Sequence, residues 1–275
     1  MTPDGGLIAA TGDNRITVLA GTALEPIHRL NDCYEDARFT SNRLLWTCIR
    51  LRSTTVVLEA WDTSTWQRIA ATEVRDPYGD SAFQLLPHPS RDSIVAWCAA
   101  GQDGQCLFWG SLADGAIVVD RFPALDDAAW PSFHPSGLDF LVVSGGELHR
   151  YQFPKGPMTG RMQWPPEDED DQMGELVYYV RSESALLVSN NGRLLLVDLA
   201  TMRIRDEIAI AGHEPRPIAE LYMSLSGRFE MASDVSFVLP LSHDVFLSVH
   251  REVPSEPDEG RDHLLMWQIP ELTWT

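Results

Sequence analysis

Six central apolar strands recur along the chain at nearly constant spacing, and that repeat limits what 275 residues can build. Taking Leu19, Trp61, Trp109, Tyr151, Val197 and Trp267 as the ends of these strands, successive marks lie 42, 48, 42, 46 and 70 residues apart. Four of the five intervals sit near the roughly 40–45 residues of a four-stranded propeller unit. The fifth is longer by about 25 residues than that period, which predicts an insertion in the last unit.

Each unit has the same layout: an apolar strand, a tight turn, a second apolar strand that often closes on an aromatic, a polar hairpin and a further strand. The clearest copy runs Ser93–Cys98, Gln102-Asp103-Gly104-Gln105, Cys106–Trp109 and Ala116–Phe122. Another runs Ala185–Ser189, Asn190-Asn191-Gly192-Arg193, Leu194–Asp198 and Arg203–Ile210. Asp-Gly and Asn-Gly between apolar runs predict two-residue hairpins, because both turn positions need positive φ. Turn tetrads precede the inner strands at Thr2-Pro3-Asp4-Gly5, His88-Pro89-Ser90-Arg91, His134-Pro135-Ser136-Gly137 and Ser224-Leu225-Ser226-Gly227. The absence of long helical periodicity disfavours α/β classes. A two-sheet sandwich is the alternative, but roughly two dozen short strands exceed what it needs.

These features resemble the WD40 repeat family, over nearly the whole chain and in degenerate form. Trp61-Asp62 and Val197-Asp198 match the family's terminal dipeptide, while Trp109, Trp267 and Tyr151 keep only the aromatic. The inner-hairpin aspartate is kept at Asp13 and Asp103, and a Gly-His pair stands once, at Gly212-His213, where the resemblance implies a structural, hydrogen-bonding histidine. What the resemblance implies is an all-β β-propeller over residues 1–275, a single domain of about six four-stranded blades, or seven, with an irregular last blade. The first blade lacks its first strand, and the sequence stops just into a fourth strand of the last. Either the ring closes with one incomplete blade, helped by residues 221–241, or the chain is a sensor or scaffold domain of a longer protein.

Forty acids against 21 Lys and Arg give a net charge of −19. That opposes nucleic-acid and anionic-membrane binding, which need clustered cations. Lys155 is the only lysine. No basic leader precedes an apolar core, and no apolar run approaches the roughly 18 residues of a membrane span, so cytoplasmic residence is expected. Cys33, Cys48, Cys98 and Cys106 form no CxxC pair and read as free thiols, buried at Cys48 and Cys98, although spacing alone leaves a disulfide open.

The chain carries no GxSxG, HExxH, P-loop or GxGxxG. Its eight histidines, His28, His88, His134, His149, His213, His243, His250 and His263, make no HxH or HxxxH pair. The recurrence of His88 and His134 before proline predicts a structural role. Trp46, Trp61, Trp97, Trp109 and Trp267 are expected to pack between blades. Trp130, Trp164 and Trp274 lie near strand ends, and Trp66 sits in a hairpin as a candidate surface contact.

The acidic tract Glu167-Asp168-Glu169-Asp170-Asp171 is the most conspicuous local feature, and it lacks the spaced carboxylates of a calcium loop. In a propeller, blade connections (31–36, 75–80, 123–128, 165–174, 212–218) and inner hairpins (12–15, 50–53, 101–105, 250–262) share one face. Half of the chain's 40 acids fall in these loops, joined by Arg15, Arg50, Arg52, Arg75, Arg216, Arg251 and Arg261. The expectation is a non-enzymatic interaction platform, a monomer on its own and with no cofactor or metal. It would bind a protein with a basic surface through Glu167, Asp168, Glu169, Asp170, Asp171, Glu256, Asp258 and Glu259. A specific version is neutralisation or chaperoning of a basic protein such as a toxin. The rival class is a hydrolase or lyase with a metal in the central channel.

Overall fold

A computed structural model describes residues 1–2, 4–12, 15–41, 43–79, 81–99, 105–121, 131–154, 156–164, 173–181, 183–189, 193–208, 235–240, 245–251 and 262–269. These residues are all-β, in 22 strands forming six antiparallel sheets in chain order. The first sheet holds β1 (Leu7–Gly12), β2 (Arg15–Ala20) and β3 (Pro26–Asn31). The second holds β4 (Tyr34–Ser41), β5 (Leu44–Arg52), β6 (Thr55–Asp62) and β7 (Gln67–Arg75). The third holds β8 (Ala82–Pro87), β9 (Ser93–Ala99), β10 (Gln105–Ala113) and β11 (Ala116–Arg121). The fourth holds β12 (Ser132–Phe133), β13 (Asp139–Ser144), β14 (Glu147–Gln152) and β15 (Met158–Gln163). The fifth holds β16 (Met173–Arg181), β17 (Ser184–Ser189), β18 (Leu194–Asp198) and β19 (Arg203–Ile208). The sixth holds β20 (Val235–Pro240), β21 (Val245–Arg251) and β22 (Asp262–Gln268).

Each of the six marks read from the sequence falls in a different sheet, on β2, β6, β10, β14, β18 and β22. The first and last sheets have three described strands each, β1–β2–β3 and β20–β21–β22. By contact, the chain divides into two compact units, one of residues 1–128 with 135–138, the other of 129–134 with 139–275.

Within each unit, burial follows strand position. In β5, residues Leu44 to Ile49 are all buried, and in β17 all six residues are. Alternate side chains of a strand point to opposite faces, and here each face meets a different layer. Trp46 and Cys48 join a core shared with Leu85, Ile94 and Phe108 of the third sheet. Leu45 and Ile49, on the other face, pack with Ile16, Val18 and Leu30 of the first. In the second unit, Ala185 and Leu187 face Leu141 and Leu148, while Leu186 and Val188 face Ile269. Burial on both faces explains why these strands read as unbroken apolar runs rather than alternating ones. Each such Leu or Ile contributes about 1.5–3 kcal/mol relative to exposure. The last strands β7, β15 and β19 are mostly exposed.

The repeat is also written in the backbone. Five residues after Leu19, Trp61, Trp109 and Val197 stand Leu24, Trp66, Asp114 and Met202, and all four have φ between 50° and 55°. Asp62 and Asp198, which follow two of the marks, cap the same turn. Asp62 accepts from the Ser64 amide at 2.7 Å, and Asp198 from the Thr201 amide at 2.7 Å. These bonds hold both carboxyls below the usual carboxylate range, led at Asp62 by the Ser64 hydroxyl and at Asp198 by the Thr201 amide. The left-handed residue then turns its side chain onto the preceding sheet. Trp66 stacks on His28 of β3 with ring centroids 4.4 Å apart, so it is a packing contact and not the open surface contact expected of it. Met202 lies over Gly160 of β15, where a Cβ would come within 2.9 Å of its side chain.

The turn tetrads interlock. His88 is buried and accepts the Ser90 amide on Nδ1 at 3.2 Å. Its Nε2 lies 2.9 Å from the Gly137 carbonyl of the next tetrad. Because Nδ1 is an acceptor, Nε2 carries the proton and donates to that carbonyl. His134, in the equivalent position, meets the Tyr179 ring edge-on at 5.1 Å. Burial lowers the His88 pKa and Arg91 adds to this, while the Gly137 carbonyl opposes it. The folded chain therefore keeps His88 neutral at a pH where the unfolded chain, with a pKa near about 6.5, takes up a proton. Stability should be full above that pH and fall as pH drops towards the folded value. Urea midpoints measured from pH 7.5 downwards should show this loss, with a shallower slope for His88→Gln. Identical slopes would remove His88 from the account.

Candidate functional site

Among the described residues, the densest polar cluster lies in the first unit, where the β5–β6 hairpin meets the connections leading into β4 and β8. Arg50 stands at its centre. Its Nε donates to Glu35 Oε1 at 2.5 Å and its Nη1 to Asp76 Oδ2 at 3.2 Å and to the Ser53 carbonyl at 3.0 Å. Its Nη2 donates to the Ser81 carbonyl, and the guanidinium lies over the Phe83 ring at 5.7 Å. Glu35 uses its other oxygen to accept the Phe83 amide at 3.2 Å. Burial alone would lower the Arg50 pKa, but Glu35 and Asp76 outweigh it and raise it.

Asp76 organises the loop that follows. It accepts the amides of Tyr78 and Gly79 at 3.0 Å and of Ser81 at 2.9 Å, and the Ser81 hydroxyl at 2.7 Å. Cys98 Sγ lies 3.8 Å from the same carboxylate. Burial works against ionisation there, yet the Ser81, Tyr78 and Gly79 bonds prevail and hold the carboxyl below its ordinary value. Asp36, 4% exposed, accepts the amides of Ala37 and Leu85 at 2.8 Å and pairs with Arg38 at 2.9 Å. For Asp36 burial dominates and the pKa is raised.

A third buried carboxylate, Glu59, sits on β6. It receives the Thr47 hydroxyl and the Trp61 indole N–H at 3.2 Å and Arg68 at 2.5 Å. Trp61 also donates to Thr47 Oγ1 at 3.1 Å, so the tryptophan of the terminal dipeptide is tied into its own sheet as well as packed against the first. In the second unit, Glu147 gathers Arg161, Gln163 and His149 on β14 and β15. Arg161 is the main cause, then His149 and Gln163, of a Glu147 pKa near 2. Beside this cluster a groove of about 580 Å³ is lined by Arg161, Met162, Gln163, Met202, Arg203 and Ile204.

The sequence counted Glu35, Asp36 and Asp76 among acids that charge an open face. The structure spends them instead on Arg50, Arg38 and backbone amides. Placed in this way, Glu35 and Asp76 brace Arg50, and Asp36 braces the Ala37 and Leu85 amides and Arg38. The same geometry joins Arg50 of β5 to Glu35 of β4, to the Ser53 carbonyl between β5 and β6, and to the connection 76–81, and it places Glu35 and Asp36 in strand β4 and not in a connection. Glu167, Asp168, Glu169, Asp170, Asp171, Glu256, Asp258 and Glu259 lie outside the described residues, as do Trp130, Trp274, His213 and the hairpin aspartates Asp13 and Asp103. Trp164 is half-buried against the core of the fourth and fifth sheets. Cys48, Cys98 and Cys106 are buried free thiols, and Cys33 is exposed. Among the described residues, no three His, Cys, Asp or Glu side chains are grouped to hold a metal ion. Among the described residues no helix is long and apolar enough to cross a membrane.

No protein-family model matches the chain, and no curated protein matches it.

Proposed function

We propose that the six sheets are blades of one WD40-like propeller and that the protein is a cytoplasmic, non-enzymatic interaction platform. Its partner is a protein with a basic surface, held through the acidic loops that carry Glu167 to Asp171 and Glu256, Asp258 and Glu259. Support for the propeller comes from the repeat: six antiparallel sheets in chain order, one mark in each, and the same left-handed residue five positions after four of those marks. The observation that carries the functional reading is the Arg50 clasp. It ties the end of β5 to β4, to the turn before β6 and to the connection 76–81. The acid-rich tracts belong to the same two loop classes. Arg50 offsets part of the charge of Glu35 and Asp76, and the tracts 167–171 and 256–262 are the most acid-dense stretches of these loops in the sequence.

A net charge of −19 favours fast, salt-sensitive capture of a cationic surface. Neutralising or chaperoning a basic toxin is one use such a platform serves.

A pull-down with the full chain at low and high salt tests this reading, with captured proteins identified and their surface charge compared. Replacing the tract (Glu167→Gln, Asp168→Asn, Glu169→Gln, Asp170→Asn, Asp171→Asn) should weaken capture of the partner by about tenfold or more, the equivalent of about 1.4 kcal/mol. Unchanged capture, or a partner with an acidic surface, overturns it.

A further inference from the structure

We propose that Cys98 and Cys106 are a dithiol site that hydrogen peroxide converts to a cross-strand disulfide, a modification site separate from the acidic loops. The two cysteines are directly opposite in the β9–β10 ladder. Opposed residues on antiparallel strands point to the same face, with Cα atoms about 4.5–5.5 Å apart, inside the roughly 4.4–6.8 Å that a disulfide spans. Bond formation therefore needs rotation about the side-chain torsions and no slip of register. Both side chains are fully buried in one core. The pair lies one rung from the end of its ladder, where Ala99 faces Gln105. Opening that last rung is a local event of low cost, and it brings peroxide to the sulfurs.

The environment singles out Cys98 as the attacking sulfur. A hydrogen bond from Cys106 is the main cause holding its thiol below the ordinary value, with help from Ser81, against burial and the neighbouring Asp76 carboxylate. Cys48, buried in the same core, is pushed the other way by burial and by Asp36 and Glu35. Thiolate character sets the rate of attack on peroxide. Cys98 sulfur attacks one peroxide oxygen, the O–O bond breaks, and the leaving hydroxide takes a proton to give water and a Cys98 sulfenic acid. Cys106 sulfur then attacks Cys98 sulfur. The S–S bond forms, the S–O bond breaks, and a second water departs with the Cys106 proton. Two thiols are oxidised and one peroxide is reduced. Once in the disulfide, Cys98 can no longer donate to Asp76, so the loop 76–81 loses one of its bonds.

The test uses the full-length chain with Cys33→Ser, which removes the exposed thiol and with it cross-links between chains. The folded protein is treated with a small excess of hydrogen peroxide, remaining thiols are alkylated, and the chain is cut before aspartates. Cleavage at Asp92, Asp103 and Asp114 separates the two cysteines into peptides 92–102 and 103–113. The expected product has lost the mass of two hydrogens, links those two peptides and reverts with dithiothreitol. Cys98 should be consumed at least about tenfold faster than Cys48. Loss of no thiols, a link to Cys48, or conversion of Cys98 to a sulfinic acid without a link overturns the proposal.

Discussion

Alanine at position 137 is expected to destabilise the protein by about 4 kcal/mol, the sum of left-handed backbone strain and overpacking. Gly137 has a φ of 70°, and a Cβ there would stand 2.1 Å from Cε1 and 2.6 Å from Nε2 of His88. The imidazole is buried and held at both nitrogens, by the Ser90 amide and by the Gly137 carbonyl. It cannot move aside without breaking both bonds, and each buried polar group left unpaired costs about 1–3 kcal/mol. Urea unfolding of Gly137→Ala should show this loss with an unchanged slope. The double variant His88→Ala, Gly137→Ala removes the steric part and keeps the backbone strain. Its combined cost should fall clearly below the sum of the two single costs. Additive costs would mean that the tetrads are not in contact.

Asp76→Ala carries the second large effect, expected at about 3–5 kcal/mol, typical of removing one partner from a buried charge pair. The carboxylate side chain is fully buried, and its partner Arg50 is 19% exposed. Removing it strands three amides, the Ser81 hydroxyl and one arm of Arg50. Asp76→Asn should cost less, because an amide oxygen still accepts two of those donors. The pH dependence has a defined sign. The folded pKa of Asp76 is depressed, so its contribution is full above its unfolded pKa and is lost as pH falls through the folded value. Asp36 works the other way. Its folded pKa is raised, so protonation on acidification relieves a penalty. In Asp76→Ala the acid-side loss should shrink by the Asp76 share, while the losses tied to Asp62, Asp198, Glu147 and His88 and the Asp36 gain persist, giving a shallower profile. A profile parallel to the parent would show that Asp76 carries no such linkage.

Much of the architecture was legible because the middle strands announce themselves twice, by continuous apolar runs and by a closing aromatic. Ser93–Cys98 and Leu194–Asp198 were placed to within a residue of β9 and β18. The left-handed positions were not legible. Glycine or asparagine normally marks positive φ, and here Leu24, Trp66, Asp114 and Met202 occupy it. Only their common offset from the strand ends could have exposed them. Trp66 looked free because its hairpin is polar, and what covers it is His28, 38 positions earlier in the chain. The Arg50 clasp was hidden for a similar reason. Counting charges by loop treats each acid as solvated, whereas Glu35, Asp36 and Asp76 are taken up by amides and guanidinium groups, some from their own loops and some, such as Arg50 and the Phe83 and Leu85 amides, from other strands. The visible trace was an arginine, Arg50, two residues before the end of the largely apolar strand Leu44–Arg52.

The acidic tracts remain the centre of the functional account, and association kinetics test them most directly. The partner captured by the full chain should bind with an on-rate that falls steeply with added salt, since exposed charge acts mainly on encounter. The chain neutralised at Glu167, Asp168, Glu169, Asp170 and Asp171 should bind about tenfold more slowly at low salt, with a shallower salt dependence and a dissociation rate changed far less. Equal on-rates and equal salt slopes for the two chains would contradict the account.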